Sequence, residues 1–217
     1  MAIALGMVIN NLEVEAMRDS YYPVRLVTNR GNVECRYYKV PSTKRGVIWV
    51  GGIGGDWDTP ANKLYPRLCQ ELIAEGIASV RVRFRHSTIL EEAILDVLAG
   101  ISYLESEGVD AIALIGHSFG GAVVIQAGAI ADTVCTVVTL ATQSYGAAAA
   151  ANLAPRCSIL LIHGTVDRIL PAVCSQYIYS LAQEPKHLIL YKGADHNLNE
   201  VSQQVDRAVR DWIVDQL

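Results

Sequence analysis

Beyond residue 46, the sequence alternates short apolar runs with longer segments that have helical spacing. The apolar runs predict six strands, at 47–50, 77–84, 111–115, 134–140, 158–162 and 187–191. The longer segments predict five helices, at 61–75, 88–107, 119–131, 172–183 and 201–214. Strands separated by helices imply right-handed crossovers. We therefore expect an α/β fold with a mostly parallel, doubly wound sheet and helices on both faces.

Two stretches rich in β-branched and aromatic residues precede this pattern. They flank Asn29-Arg30-Gly31, which predicts an antiparallel hairpin over residues 24–40 at the edge of the sheet. The chain shows no internal repeat and no linker, so we expect residues 1–217 to form a single domain.

Composition and charge exclude several classes of protein. With 51% apolar and 18% charged residues, a chain of this length is expected to fold and to bury roughly 70% of its unfolded surface. A net charge of −4 argues against nucleic acid or an anionic membrane as partner. No apolar run reaches the ~18 residues of a membrane helix, and no basic residue precedes Arg18, so we expect no signal peptide. Five widely spaced cysteines favour reduced thiols in a cytoplasmic protein.

The segment Gly116-His117-Ser118-Phe119-Gly120-Gly121 lies between a predicted strand and a predicted helix. A serine at such a junction sits on a sharp turn, and the flanking glycines relieve the steric cost of its backbone. Its hydroxyl then points away from the sheet, at the positive end of a helix. The alternative is an ordinary glycine-rich turn. As a functional motif, this segment marks Ser118 as a candidate nucleophile.

A serine nucleophile needs an imidazole base that is itself held by a carboxylate. In a sheet of this kind, the acid and then the histidine should follow the serine, each just past the end of a strand. Asp167 follows the predicted strand 158–162, and His196 follows the last predicted strand. We therefore expect Ser118, Asp167 and His196 to form a catalytic triad.

Other histidines and acids fit this arrangement less well. His163 lies at the tip of its strand and His117 beside the serine, so both are expected to be structural. His187 begins the last strand, which places it roughly 20 Å from the site at ~3.3 Å per residue. Asp195 is too close in sequence to His196 to align with its ring and is expected to be a solvated loop residue.

Acyl transfer also requires N–H donors for the oxyanion. One donor is expected from Phe119, directly after the serine, and the second from the glycine-rich loop Gly51–Gly55, at Ile53. The same loop could be a dinucleotide-binding turn, but the third glycine of GxGxxG is missing. We expect no organic cofactor and no metal.

Taken together, these motifs resemble the α/β-hydrolase superfamily over residues 24–217, and most closely its compact members similar to dienelactone hydrolases and small esterases. The segments His163-Gly-Thr-Val-Asp167 and Gly193-Ala-Asp-His196 are similar to the acid and histidine loops of that family. Two features depart from it. Gly51 stands where the family has histidine, and dienelactone hydrolases proper have a cysteine where this chain has Ser118.

Many members of the family that this chain resembles insert a helical cap at the position of segment 141–156. It is too short for a cap domain, which predicts an open site. Trp57, Gln143 and Tyr145 are candidates for lining the substrate pocket, with ordinary loop packing as the alternative.

Three arginines alternate with apolar residues along the strand 77–84, and the spacing places Arg81, Arg83 and Arg85 on one strand face. Arg85 could bind a substrate carboxylate. Pairing with acids such as Glu91, Glu92 or Asp96 is the favoured alternative, because buried arginines normally require partners.

The expected function is hydrolysis of a carboxylic ester or thioester of a small molecule through an acyl-enzyme intermediate. An acyltransferase or peptidase of the same fold, and a non-catalytic ligand-binding protein on a hydrolase scaffold, remain as alternatives. An edge strand or the last helix could pair two subunits, so a homodimer also stays open.

Overall fold

A computed structural model describes residues 6–217; Met1–Leu5, part of the N-terminal stretch in which no signal peptide is expected, lie outside the described residues. The described chain forms a nine-stranded sheet with the order β1-β2-β3-β5-β4-β6-β7-β8-β9. The strands are β1 (Ile9–Val14), β2 (Tyr22–Thr28), β3 (Gly31–Tyr38), β4 (Arg45–Val50), β5 (Ala78–Arg83), β6 (Ala111–His117), β7 (Val134–Leu140), β8 (Ser158–Gly164) and β9 (Lys186–Tyr191). The helices are α1 (Pro60–Ala74), α2 (Leu90–Ser106), α3 (Phe119–Ile130), α4 (Val173–Leu181) and α5 (Ser202–Gln216).

The sheet is parallel from β5 through β9 and antiparallel at its N-terminal edge. β4 pairs in parallel with β5 and β6, and β6, β7, β8 and β9 continue in the same direction. β1, β2 and β3 pair antiparallel, and β3 joins the rest by an antiparallel ladder to β5. The expected mostly parallel α/β sheet with an antiparallel N-terminal hairpin is therefore confirmed.

β1 was not expected from the sequence. It is largely exposed, and in Ile9-Asn10-Asn11-Leu12-Glu13-Val14 apolar and polar residues alternate only over the last three positions, so it lacks the continuous apolar run of a buried strand. β1 exists because β2 offers it a free edge, with Leu12 opposite Leu26 and Val14 opposite Val24. Pairing with a neighbour, rather than burial, stabilises this strand.

The central strands are apolar throughout because both of their faces are covered. In β4, Ile48 and Val50 pack in the core beneath α2 and α3, whereas Val47 and Trp49 pack beneath α1 and α5. Burying each such side chain contributes about 1.5–3 kcal/mol, so the two layers together hold the sheet and its strand ends in place.

A short connection joins β7 to β8. It contains a single 3-10 helix, Ala148–Asn152, with Ala150 buried against the core. The expected fold without a cap domain is confirmed, because this connection, which the structure describes in full, holds no further helix or strand.

Arg85 lies beyond the end of β5 and turns towards α2. Its Nε donates to Asp96, its backbone N–H donates to the same carboxylate at 2.8 Å, and its Nη2 lies 2.9 Å from Glu92. The prediction of a shared strand face is therefore wrong for Arg85, because the strand ends at Arg83. The alternative of pairing with Glu92 and Asp96 is confirmed. Burial raises the pKa of the Asp96 carboxyl to about 6, and the hydrogen bonds from Arg85 act in the opposite direction.

The other two arginines of this segment differ from each other. Arg83 is exposed and lies 3.5 Å from an Asp56 carboxylate oxygen. Arg81 is buried and donates to the backbone oxygen of Trp57 at 2.7 Å.

Within residues 6–217, no helix is both long and apolar enough to cross a membrane, and no three histidine, cysteine or acidic side chains are grouped to hold a metal ion. All five cysteines are free thiols.

Candidate active site

Ser118 occupies a strained turn between β6 and α3. Its backbone has φ 55° and ψ −117°, a conformation that residues with a side chain rarely adopt. The surrounding packing maintains it: the Ser118 N–H donates to Leu140 at 2.9 Å, and a side chain at Gly116 or Gly120 would collide with backbone atoms. The turn therefore holds the serine at the carboxyl end of β6.

Asp167 lies on the loop that follows β8, and its side chain is fully buried. Oδ1 accepts the N–H groups of Ile169 and Leu170, both at 2.8 Å. Oδ2 accepts from two histidines, at 2.7 Å from His196 Nδ1 and at 3.1 Å from His163 Nε2. Four donors thus surround one carboxylate.

The pKa of Asp167 lies below its ordinary value despite this burial. Burial is the largest single effect and raises it, but the Leu170 N–H, His196 and the Ile169 N–H together lower it by more. The carboxylate therefore stays ionised at neutral pH.

His196 follows β9 on a loop that is fixed at several points. Its N–H donates to Asp195 at 2.8 Å, and Asp195 also accepts the N–H of Arg168 at 3.0 Å. Asp195 thus joins the acid loop to the histidine loop, which is a more specific role than the solvated position expected. The first turn of α1 binds the same loop, through the Ala61 N–H and the Asn197 oxygen at 2.7 Å.

The structure brings His196 and Asp167 together and places Ser118 at the same edge of the sheet. Its described residues include no hydrogen bond between Ser118 Oγ and His196 Nε2, a contact that triad chemistry would require. His117 links the two segments: its Nε2 lies 3.2 Å from the His196 oxygen and its ring 4.9 Å from the His196 ring.

Two residues near the site were not singled out by the sequence reasoning. His163 was expected to be structural, yet it contacts Asp167 directly. Asp58 lies 3.7 Å from His117 Nδ1 and accepts the Gly52 N–H at 3.3 Å, so it holds the glycine-rich loop beside the serine turn. The Asp58 contact has no sequence signal, because it depends on how separate segments fold together. His163 and Asp167 belong to one sequence motif, but the motif alone does not show that their side chains meet.

The glycine-rich loop after β4 approaches the serine closely. A Cβ on Gly52 would lie 3.3 Å from Ser118 Cβ. In the described part of the chain, the Ile53 N–H donates to no protein group. The N–H of Phe119 is the first of α3 and so has no acceptor in a preceding turn. Among the residues that the structure describes, the backbone N–H groups of Ile53 and Phe119 are therefore free of protein acceptors, in the two segments that adjoin Ser118.

Two grooves flank this edge of the sheet. One, of about 330 Å³, is largely apolar and is lined by Ile53, Thr88, Ile89, Leu90, Glu91, Phe119, Gln143 and Tyr145. The other, of about 370 Å³, is polar and is lined by Arg168, Ile169, Asp195, His196, Asn197, Asn199 and Glu200. We call them the apolar groove and the polar groove.

Gln143 and Tyr145 line the apolar groove, whereas Trp57 lies elsewhere. The Trp57 ring packs against Arg36, whose guanidinium carbon is 4.0 Å from the ring centroid, and against Arg81 at 5.6 Å. This placement differs from the pocket position expected for Trp57. The two cations attract the indole away from the serine.

The strand order and these loops can be compared with known proteins. The chain is 16% identical to a dienelactone hydrolase from Anabaena variabilis, with a TM-score of 0.78 over 91% of this chain and 98% of that one. It is 14% identical to a cold-adapted esterase from an Arctic intertidal metagenomic library, with a TM-score of 0.74 over 94% of this chain and 97% of that one. These likenesses confirm the α/β-hydrolase fold.

Sequence comparison gives a short match to a single protein and a long match to a family model. The chain is 40% identical to the uncharacterized protein YfhR of Escherichia coli over 57 residues, which span 26% of this chain and only 20% of that protein. The model of the dienelactone hydrolase family matches residues 64–212, about two thirds of the chain, including Ser118, Asp167 and His196. The chain therefore belongs to the dienelactone hydrolase family.

Proposed function

We propose that this protein hydrolyses a carboxylic ester or thioester through an acyl-enzyme intermediate, with Ser118 as nucleophile, His196 as base and Asp167 as the orienting acid. The observation that carries the proposal is the contact of His196 Nδ1 with a buried, four-fold hydrogen-bonded Asp167, at the same sheet edge as the strained Ser118. Family membership and esterase-like structural relatives support ester-type hydrolysis.

The hydrogen bonds determine which nitrogen of His196 acts as base. Asp167 is ionised and can only accept, so His196 Nδ1 carries the proton of the 2.7 Å contact. In the neutral ring the lone pair is then on Nε2, the nitrogen that must take the Ser118 proton. The Ser118–His196 contact is expected to form or tighten with substrate bound, as is common for catalytic hydrogen bonds.

The reaction then proceeds in two steps. His196 Nε2 takes the proton of Ser118 as Oγ bonds to the carbonyl carbon, and the carbonyl oxygen becomes an oxyanion facing the N–H groups of Ile53 and Phe119. The carbon–oxygen or carbon–sulfur bond breaks, and the leaving group receives that proton from His196. Water then attacks the acyl carbon as His196 takes its proton, and His196 passes that proton to Ser118 Oγ as the bond to Oγ breaks and the acid is released.

The substrate must be oriented so that His196 can protonate the leaving group. The leaving group must lie beside His196, which lines the polar groove. The carbonyl oxygen must lie between Ile53 and Phe119, whose side chains line the apolar groove. We therefore assign the apolar groove to the acyl group and the polar groove to the leaving alcohol or thiol.

Acyl-chain length gives a direct test of this assignment. The apolar groove is open and small, so kcat/KM for p-nitrophenyl esters should rise over the first few carbons by about 0.8 kcal/mol per methylene enclosed, and then stop rising. We expect no further gain beyond acyl chains of about eight carbons. A steady rise to twelve carbons in steady-state assays would contradict a short acyl site.

Active-site labelling separates the proposal from a binding protein on the same scaffold. A fluorophosphonate probe reacts only with a serine whose hydroxyl is activated. We expect one covalent adduct per chain, located at Ser118 by peptide mass spectrometry, and none in Ser118→Ala. An unlabelled, folded wild-type protein would instead favour the non-catalytic alternative.

A further inference from the structure

His163 is a fully buried ionisable group for which the proposed reaction has no direct use. It is the sixth residue of β8, and its side chain is 0% exposed. It makes three polar contacts. Nε2 lies 3.1 Å from Asp167 Oδ2 and 2.9 Å from the Leu170 oxygen, and Nδ1 lies 2.7 Å from Ser175 Oγ.

These partners define the tautomer of His163. The carboxylate of Asp167 and the carbonyl of Leu170 can only accept, so Nε2 must carry a proton. Burial lowers the pKa of His163, which keeps the ring neutral at physiological pH. Nδ1 is then unprotonated and accepts the hydroxyl proton of Ser175.

The contact matters because His163 and His196 share one oxygen. Asp167 Oδ2 is the atom that holds His196 Nδ1, at 2.7 Å, and it receives His163 at 3.1 Å. A second donor lowers the freedom of the carboxylate to rotate and stabilises its ionised form.

We propose that His163, held by Ser175 in its Nε2–H form, is a positioning residue that fixes Asp167 Oδ2 towards His196. His163 acts through Asp167 and does not contact the substrate. The catalytic part of this inference rests on the proposed function, whereas the hydrogen-bond part stands independently of it.

Other charged or titratable side chains lie around His196. The His117 ring is 4.9 Å from the His196 ring, with Asp58 behind it at 3.7 Å from His117 Nδ1. Asp195 accepts the N–H of His196 and lies 3.9 Å from Arg168 Nε. Among the described residues, only His163 and His196 donate side-chain hydrogen bonds to Asp167, so changing His163 tests one contact of the acid.

The first measurement uses wild-type protein labelled with ¹⁵N-histidine. We expect His163 to be in the neutral Nε2–H form from pH 7 to pH 9, whether or not the protein turns over an ester. An Nδ1–H tautomer, or an imidazolium form at pH 7, would overturn the proposal. Neither result depends on catalysis, so failure of the proposed function would be seen separately, as a lack of Ser118-dependent hydrolysis.

The second measurement compares His163→Leu with His163→Gln. Leucine removes the donor, so the pKa of Asp167, followed by ¹³C-carboxyl NMR, should rise, and kcat/KM should fall about 10-fold. Glutamine keeps an N–H donor of similar reach and should restore most of both values. His187→Leu, at an exposed histidine near Trp212, is the control and should change neither.

Two outcomes of this comparison would contradict the proposal. One is an unchanged Asp167 titration in folded His163→Leu. The other is an equal loss in the glutamine and leucine variants, which would indicate that His163 only fills space. If the leucine variant does not fold, the tautomer measurement on the wild type still decides the hydrogen-bond part, and the Asp167 titration and kcat/KM of His163→Gln, which should stay near the wild-type values, decide the positioning part.

Discussion

Ser118→Ala is expected to lower kcat/KM for p-nitrophenyl acetate by about 10⁴-fold or more, while the melting temperature stays within a few degrees of the wild type. The substitution removes only a hydroxyl, and the described residues include no hydrogen bond to that oxygen. The strained backbone is maintained by neighbouring groups, so the turn should survive. Steady-state kinetics measure the loss of kcat/KM, and a melting curve on the same preparation measures the melting temperature.

His196→Ala should lower kcat/KM about as much, because nucleophile and base act as one unit and their effects do not add. Asp167→Asn should lower kcat/KM somewhat less, since it disturbs the tautomer of His196 but keeps Ser118 and the imidazole. His187→Ala serves as the matched control. Near-native hydrolysis by a folded Ser118→Ala protein would show that another residue is the nucleophile.

Much of the framework behind this prediction could be derived from the sequence. In a parallel sheet, the carboxyl ends of neighbouring strands meet at one edge. Three polar residues that follow three apolar runs were therefore expected to come together, and the strand order β6-β7-β8-β9 places Ser118, Asp167 and His196 along that edge. Apolar runs indicate buried strands, and glycines indicate turns, from the local sequence alone. The strands and the turn at Ser118 could therefore be predicted.

Contacts between loops could not be derived in the same way. His163 and Asp167 are four residues apart, but whether their side chains meet depends on the path of the loop after β8. Trp57 follows the glycine-rich loop in sequence, yet two arginines from β3 and β5 attract its ring elsewhere. β1 has only a short, incomplete apolar alternation and was missed, since it forms a strand by pairing with the free edge of β2.

Asp96→Ala is expected to lower the free energy of unfolding by about 3 kcal/mol at pH 8, measured by urea denaturation. Asp96 is fully buried in α2 and accepts both Nε and the backbone N–H of Arg85, whose side chain is 6% exposed. Removing the carboxylate leaves a guanidinium that water scarcely reaches. This loss of about 3 kcal/mol in the free energy of unfolding is at the low end of the range for a broken buried ion pair, because Glu92 remains 2.9 Å from Arg85.

The matched variants distinguish lost pairing from lost packing. Glu91→Ala, at the exposed start of the same helix, should change the free energy of unfolding by less than about 0.5 kcal/mol. The double variant Arg85→Leu/Asp96→Leu removes both charges and refills the space, so it should recover a large part of the loss seen in Asp96→Ala. If the double variant were instead less stable than Asp96→Ala, an uncompensated Arg85 charge would not explain the effect. The Arg85–Asp96 pair would then contribute net stability by joining the end of β5 to α2, beside the apolar groove.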